Sequence, residues 1–336
     1  MKTTNYNIIP LFSLLAFLLL PTSCTDELAT DPGRTSNGQT PRFVISTNSP
    51  QTRVSYGNIT KSTFEEGDVL GAFVLDANGN IVTNPASNVT YANIQYRVAG
   101  DGADGMPQTL QPVLPRDAFP YADGYRYIFY YPFREGTDYD DVTHTVQTDQ
   151  STARLYELSD LLWDYIPYSG TSTPEGTAPT VEVAMDHAMS NIVLEVPQEM
   201  MSAEAPHAWM LNVKIMVSDI SLAAENLSDL EGTYGTAETV NAETIGMWRF
   251  GTRTLDNQAM WQFRIAIPAQ EFENNTEMFS IQTEDGKTAT YTAQFSGGNL
   301  TFLPGRYYLF TVTETGLRFR GLIEDLEDGG DYYYEY

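Results

Sequence analysis

The sequence predicts an all-β protein of two β-sandwich domains in tandem, with short helices only. Three observations carry this. Apolar residues recur with a period of two across most of the chain. No stretch offers a long apolar stripe at helical spacing. The composition joins 12% aromatic residues with abundant Thr, Gly and Asn and a single cysteine, the pattern of half-buried strands separated by turns.

Taken in order, Lys2 and the apolar run Ile8 to Leu20, followed by "PTSC", describe a signal peptide over residues 1–23. Cys24 is the one cysteine, so a disulfide framework and a cysteine-rich metal site are excluded. Its place directly behind an apolar signal resembles a bacterial lipobox, with Cys24 as the lipidated mature N-terminus. Pro21 stands where such a motif usually has Leu. The alternative is an ordinary signal-peptidase site with an incidental cysteine. A multiply acylated N-terminus would hold firmly where a single acyl chain would not. Residues 24–41 contain almost nothing that can bury itself and form a flexible tether.

The folded part begins at Arg42, and residues 42–172 form the N-terminal sandwich. Its first strand is carried by Phe43, Val44 and Ile45, with Phe43 and Ile45 on one face, before a polar loop containing Arg53. "NIQYRV" aligns Ile94, Tyr96 and Val98; "YRYIFYYP" aligns Tyr125, Tyr127, Phe129 and Tyr131. "DANGN" marks a hairpin turn. The best helical candidate is Leu155 to Ile166, "LYELSDLLWDYI". The Pro-, Gly- and Ser-rich stretch 167–179 then supplies the domain boundary, and residues 173–325 form the C-terminal sandwich. There "NIVLEVP" aligns Ile192, Leu194 and Val196. "AWMLNVKIMVSD" aligns Trp209, Leu211, Val213, Ile215 and Val217. "MWQFRIAIPA" sets Trp261, Phe263, Ile265 and Ile267 against Gln262 and Arg264. Each would have one face in the core and one in water. "EDGK" is a second hairpin turn, and residues 326–336 are an acidic, tyrosine-rich tail.

Motifs for chemistry are absent. "GDGADG" matches a dinucleotide glycine pattern through Gly100, Gly102 and Gly105, but "MPQTLQP" follows with no helix to receive a pyrophosphate. A calcium site on Asp101 and Asp104 lacks the further oxygen ligands it needs. His144, His187 and His207 share no metal-ligand spacing, and "DYDD" at 138–141 fits solvated surface. No catalytic, cofactor-binding or metal-ligating residue is assigned, and no enzyme is expected. A formal charge of −26 argues against nucleic acid and anionic membrane surfaces as partners. Tyr130 and Phe133, or the "YYYEY" tail, could stack on sugar faces; packing and solvation are the plainer readings.

Several stretches together resemble the fimbrillin-like lipoproteins of Bacteroidales, the type V pilus subunits and accessory proteins. They are "TRVSYGNITKSTFEEGDVLGAFV", "YIFYYPF", "SDLLWDYI", "MDHAMSNIVLEV" and "LPGRYYLFTVTETGL", in the family's order. Asp26 and Glu27 behind Cys24 look like that group's surface-export signal. The resemblance implies two transthyretin-like sandwiches, lipoprotein export to the outer membrane and cell surface, and a part in fimbriae and adhesion. It also implies a cut by an arginine-specific protease behind the first strand, for which Arg53 is the matching residue. Arg34 and Arg42 precede that strand, so a cut there would open no groove. The detached strand would leave a groove for the C-terminal segment of a neighbouring pilus subunit. In this chain Leu317, Phe319 and Ile323 are the candidate donor residues. The alternative is a surface-tethered lipoprotein that binds glycans or host proteins without polymerising.

Overall fold

The computed structural model describes residues 40–47, 64–85, 87–100, 107–122, 124–167, 179–223, 237–238 and 242–322. Cys24, Arg53, Ile323, the signal peptide, most of the tether and the 326–336 tail lie outside the described residues. The strands are β1 (Arg42–Thr47), β2 (Val69–Leu75), β3 (Ile94–Ala99), β4 (Thr109–Pro112), β5 (Arg126–Tyr131), β6 (Val142–Thr145), β7 (Leu162–Pro167) and β8 (Thr180–His187), with the short helix α1 (Ala153–Ser159) before β7. There follow β9 (Ser190–Pro197), β10 (Ala208–Val213), β11 (Met216–Ile220), β12 (Ala237–Glu238), β13 (Glu243–Gly246), β14 (Trp248–Leu255) and β15 (Gln258–Ile267). The last are β16 (Gln270–Phe272), β17 (Glu277–Gln282), β18 (Thr288–Thr292), β19 (Leu300–Phe302), β20 (Tyr307–Thr313) and β21 (Gly316–Leu322). The protein is all-β, as its periodicity predicts.

Seven strands close into a barrel in the order β1-β4-β3-β2-β5-β7-β8, with β8 returning to β1. Every neighbouring pair is antiparallel except β1 with β8. An odd ring cannot alternate direction all the way round, so one parallel seam is obligatory, and β1 lies on it. Beyond the barrel, β14-β15-β9-β20-β21 form a five-stranded sheet and β13-β10-β17-β18 a four-stranded one. A third sheet, β12-β11-β6, takes β6 from the barrel half of the chain.

Two apolar cores result. One fills the barrel and includes Phe43, Ile45, Tyr96, Phe119, Phe129 and Val183. The other runs from the outer face of β2 and β5, through Phe73, Ile128 and Tyr130, into the sandwich at Ile192, Phe263 and Phe310. Strands β2 and β5 therefore bury alternate side chains in different cores. Gly71 of β2 permits this packing, because a Cβ there would collide with the Tyr130 ring across the ladder.

Several strands depart from the half-wet pattern. All eight residues of β9 are buried, as are Gln262 and Arg264 of β15; α1 packs against β14 and β15, and Arg253 and Gln262 bond the Glu195 carboxylate. The run 208–217 does not hold one face: a register shift lies between Met210 and Val213, where Asn212 takes φ 58°, and Met210 is the buried residue instead of Trp209 or Leu211. Only the first half of "LYELSDLLWDYI" is helical. Thr152 caps α1 by accepting from the Leu155 N–H, and the chain becomes β7 from Leu162. The division expected at residue 172 falls between β7 and β8, which are partners in the barrel; the chain passes to the sandwich between His187 and Ser190. Both expected turns form: Asp76 accepts from the N–H groups of Asn78 and Asn80, and the 284–287 turn joins β17 to β18 with Gly286 at φ 77°.

The first strand and its groove as the candidate functional site

Strand β1 follows from its alternation. Phe43 and Ile45 are buried, Arg42 and Ser46 exposed, and Val44 lies between. One flank pairs with β8 over its whole length, from Arg42 opposite Thr180 to Thr47 opposite Met185. The other meets β4 at Phe43–Leu110 and Val44–Thr109, and the Ile45 N–H donates to the Gln108 carbonyl at 3.0 Å. Phe43 is 1% exposed. Its ring meets Phe129, Tyr127, Tyr96 and Phe119 edge-on, with centroids 5.0, 5.3, 5.9 and 6.1 Å away. Burial of Phe43 and Ile45 is worth about 1.5–3 kcal/mol each, and edge-to-face rings add about 0.5–1.5 kcal/mol per pair. Lifting β1 out would bare an apolar slot between β4 and β8, floored by those aromatics, with both ladder edges unpaired.

A titratable group braces that slot. β7 and β8 pair only at Leu162–His187 and Trp163–Asp186 before they separate. Across the gap the half-buried Asp164 carboxylate accepts from the Ala184 N–H at 2.6 Å, and Ala184 lies opposite Ser46 of β1. Burial pushes the Asp164 carboxyl up to about 7 from 3.8, and Asp186 nearby adds to the shift while the Ala184 bond opposes it. With the folded value above the unfolded one, the protonated acid is favoured in the fold. Its contribution is full below pH 3.8 and is lost as pH rises through about 7. Melting temperatures from pH 5 to 8 should therefore fall more steeply for the native chain than for Asp164→Asn; equal slopes would refute the assignment.

A second polar feature fixes the end of β8, and sequence reasoning missed it. His187 Nδ1 bonds the Asp160 carboxylate at 2.6 Å, and the Tyr307 hydroxyl lies 3.1 Å from His187 Nε2. Arg264 donates to the Tyr307 hydroxyl at 3.4 Å and lies over the rings of Tyr156 and Tyr307, 4.6 and 5.6 Å from their centroids. Tyr156 donates to Asn191 and, at 3.5 Å, to Asp160. Burial drives the Tyr156 hydroxyl far above its ordinary value, so it stays a neutral donor. These buried groups tie α1, β8, β9, β15 and β20 together where the chain leaves the barrel. Their sequence signal was slight: one Arg within an apolar strand and one His before a turn. Elsewhere, burial and the adjacent Arg134 guanidinium lower the buried His144 to about 3, so its ring is neutral. Its Nε2–H donates to the Ser159 carbonyl at 2.8 Å, and its Nδ1 accepts from Arg134.

The candidate donor residues are engaged in their own fold. Leu317 and Phe319 lie on β21, paired with β20, and Phe319 packs on Phe310 and Phe295 at 5.0 and 6.2 Å between centroids. Of the candidate sugar platforms, Tyr130 is 1% exposed and bonds Asn93, so it offers no face to a sugar. Among the described residues no group of three His, Cys, Asp or Glu is placed to hold a metal.

A family model described as fimbrillin-like matches residues 52–325. The chain belongs to the fimbrillin-like family. Among solved structures, one assigned to cell adhesion from Bacteroides uniformis is 14% identical, with a TM-score of 0.54 over 86% of this chain and 98% of its own. A similar protein from Bacteroides ovatus is 15% identical, with a TM-score of 0.54 over 84% and 96%. The tip fimbrial protein Mfa3 of Porphyromonas gingivalis, truncated at its C-terminus, is 8% identical, with a TM-score of 0.41 over 84% and 98%. The first two likenesses speak to the fold alone. No curated protein matches the chain. The family match begins at residue 52, so β1 lies outside the matched segment.

Proposed function

We propose that this fimbrillin-like protein is a cell-surface fimbrial subunit or accessory protein whose β1 is a removable plug. In this reading the chain is exported with a lipid on Cys24 and reaches the outer-membrane surface. Cleavage after Arg53 then releases β1 together with its anchor. A donor strand from a neighbouring subunit fills the slot between β4 and β8, and the assembled fibre serves adhesion. The observation that carries this is the placement of β1. It supplies two inward apolar side chains and two ladders, yet it is the first strand of the barrel and is joined to the rest of the chain through the segment that holds Arg53. Addition of a strand of matching alternation would restore both ladders and the aromatic contacts. Because Leu317 and Phe319 already pair with β20, donation from them would require β21 to peel away first.

The test is the N-terminus of surface-extracted protein. Sequencing that begins at Val54, lost in Arg53→Ala together with high-mass polymer, supports the reading. Protein that always begins at an acylated Cys24 refutes the plug and leaves a tethered binding lipoprotein.

A further inference from the structure

The four-stranded sheet β13-β10-β17-β18 carries a cluster of side chains on its outer face that the plug does not use. Its inner face is core, with Met210, Ile245, Phe279 and Ile281 all buried. Alternation therefore turns Trp209 outward, and it is half-buried where Met210 is sealed. Both cross-strand partners of Trp209 are small, Gly246 on β13 and Ser280 on β17. Neither is tall enough to cover an indole lying on the sheet. His207, two residues earlier on the same side of the chain, is exposed. Its ring centroid is 5.9 Å from that of Trp209, with the planes 31° apart, so the two rings form one broad aromatic platform.

A carboxylate stands at the edge of that platform. The segment before α1 bridges in parallel to β13 at Asp149–Gly246. There the Gln150 N–H donates to the Gly246 carbonyl at 2.9 Å, and the Gly246 N–H donates to the Thr148 carbonyl at 3.1 Å. A Cβ on Gly246 would lie 3.3 Å from Asp149 Oδ1 and 4.0 Å from Trp209 Cδ1. The missing side chain thus leaves a notch that the carboxylate and the indole both line. Asp149 is exposed, and hydrogen bonds from the Ser151 side chain and N–H hold its carboxyl below the ordinary value. It is an acceptor with no proton to give.

We propose that Trp209, His207, Asp149 and the Gly246 notch bind a neutral hexopyranose, with one face of the sugar ring stacked on the indole and a hydroxyl group donating to Asp149. A pyranose matches both halves of the site. The C–H groups of its ring face pack on an aromatic surface, and the hydroxyls at its rim donate to a carboxylate. The notch admits that rim between the indole and Asp149. An ammonium group would also suit a carboxylate, but aromatic recognition of ammonium turns several ring faces toward one point. Here the two rings lie side by side on one surface. An acidic sugar would meet both Asp149 and a chain of charge −26. The site shares no strand with the β1 slot and needs no cleavage, so it stands or falls apart from the plug reading.

The experiment titrates the full chain with lactose, cellobiose, maltose and chitobiose, read by saturation-transfer NMR and calorimetry, with a trilysine peptide as the amine probe. At least one disaccharide should bind, and the protons of one ring face should receive most of the saturation. Trp209→Ala should abolish that signal. Gly246→Ala fills the notch while keeping every ring and charge, at a residue whose φ is not left-handed, and should weaken binding about tenfold. Asp149→Asn, which keeps the shape and removes the charge, should weaken it about fivefold. These last two changes leave the core intact, so they decide the matter even where Trp209→Ala fails to fold. The proposal is overturned when none of the four disaccharides binds. It is equally overturned when Gly246→Ala and Asp149→Asn bind as the native chain does, which places the sugar elsewhere. Tighter binding of trilysine than of every sugar overturns it in favour of a cation site.

Discussion

Phe43→Ala is expected to destabilise the barrel by about 3–5 kcal/mol, the usual loss for a phenylalanine removed from a packed core. The residue earns this position by contacting four rings at once, from β3, β5 and the connection holding Phe119. The cavity left behind is walled by rings on both sheet flanks, which cannot all collapse toward one vacant point. Denaturant unfolding followed by tyrosine fluorescence should show the loss. Val44→Ala, on the same strand but only half-buried, should cost less than about 1.5 kcal/mol. If the two variants were equally mild, β1 would not be a structural plug. The comparison also bears on assembly, because a donor strand lacking a large apolar residue at the Phe43 position should replace β1 poorly.

The second large effect is expected at the junction. Arg264→Met should cost about 3–5 kcal/mol, because it removes the buried guanidinium that lies over the Tyr156 and Tyr307 rings, donates to the Tyr307 hydroxyl and shares the junction with Asp160. Asp160→Asn alone should also destabilise, since it weakens the bond that orients His187. The double variant should cost clearly less than the sum of the two, by on the order of 1–3 kcal/mol, as expected for charges within one network. Additive costs would show that Arg264 and Asp160 do not sense each other. The assay is equilibrium denaturation of all four proteins at one pH.

How much of this was legible in the residues depends on whether a feature is local. Phe43 and Ile45 alternate with polar neighbours, and β1 forms as that alternation predicts. The two hairpin turns are encoded within five residues each. The burial of β9 is not local: Glu195 lies inside because Arg253 and Gln262 from two other strands bond its carboxylate. Arg264 is a polar position in an alternating strand and resembles a solvent-facing one until α1 brings Tyr156 over it. The junction spans Tyr156 to Tyr307, and no spacing rule connects residues so far apart. Leu317 and Phe319 show the other limit. Their pattern announces a strand, but alternation carries no information about which edge that strand will join.

The odd number of strands in the barrel has a consequence for polarity. Around seven strands one like-directed contact must remain, and at present it falls between β1 and β8. A replacement running as β1 runs keeps that contact on β8. One running the other way transfers it to β4 and pairs antiparallel with β8 along the longer edge. Ring closure therefore imposes no direction on the incoming strand. The orientation is left to side-chain register, to whether the donor's large residue reaches the aromatic pocket of Phe43 from one end or the other. If subunits assemble by strand replacement as proposed, two joined in opposite senses would emerge from the barrel at opposite mouths, and a single side-chain position would govern the path of the whole fibre.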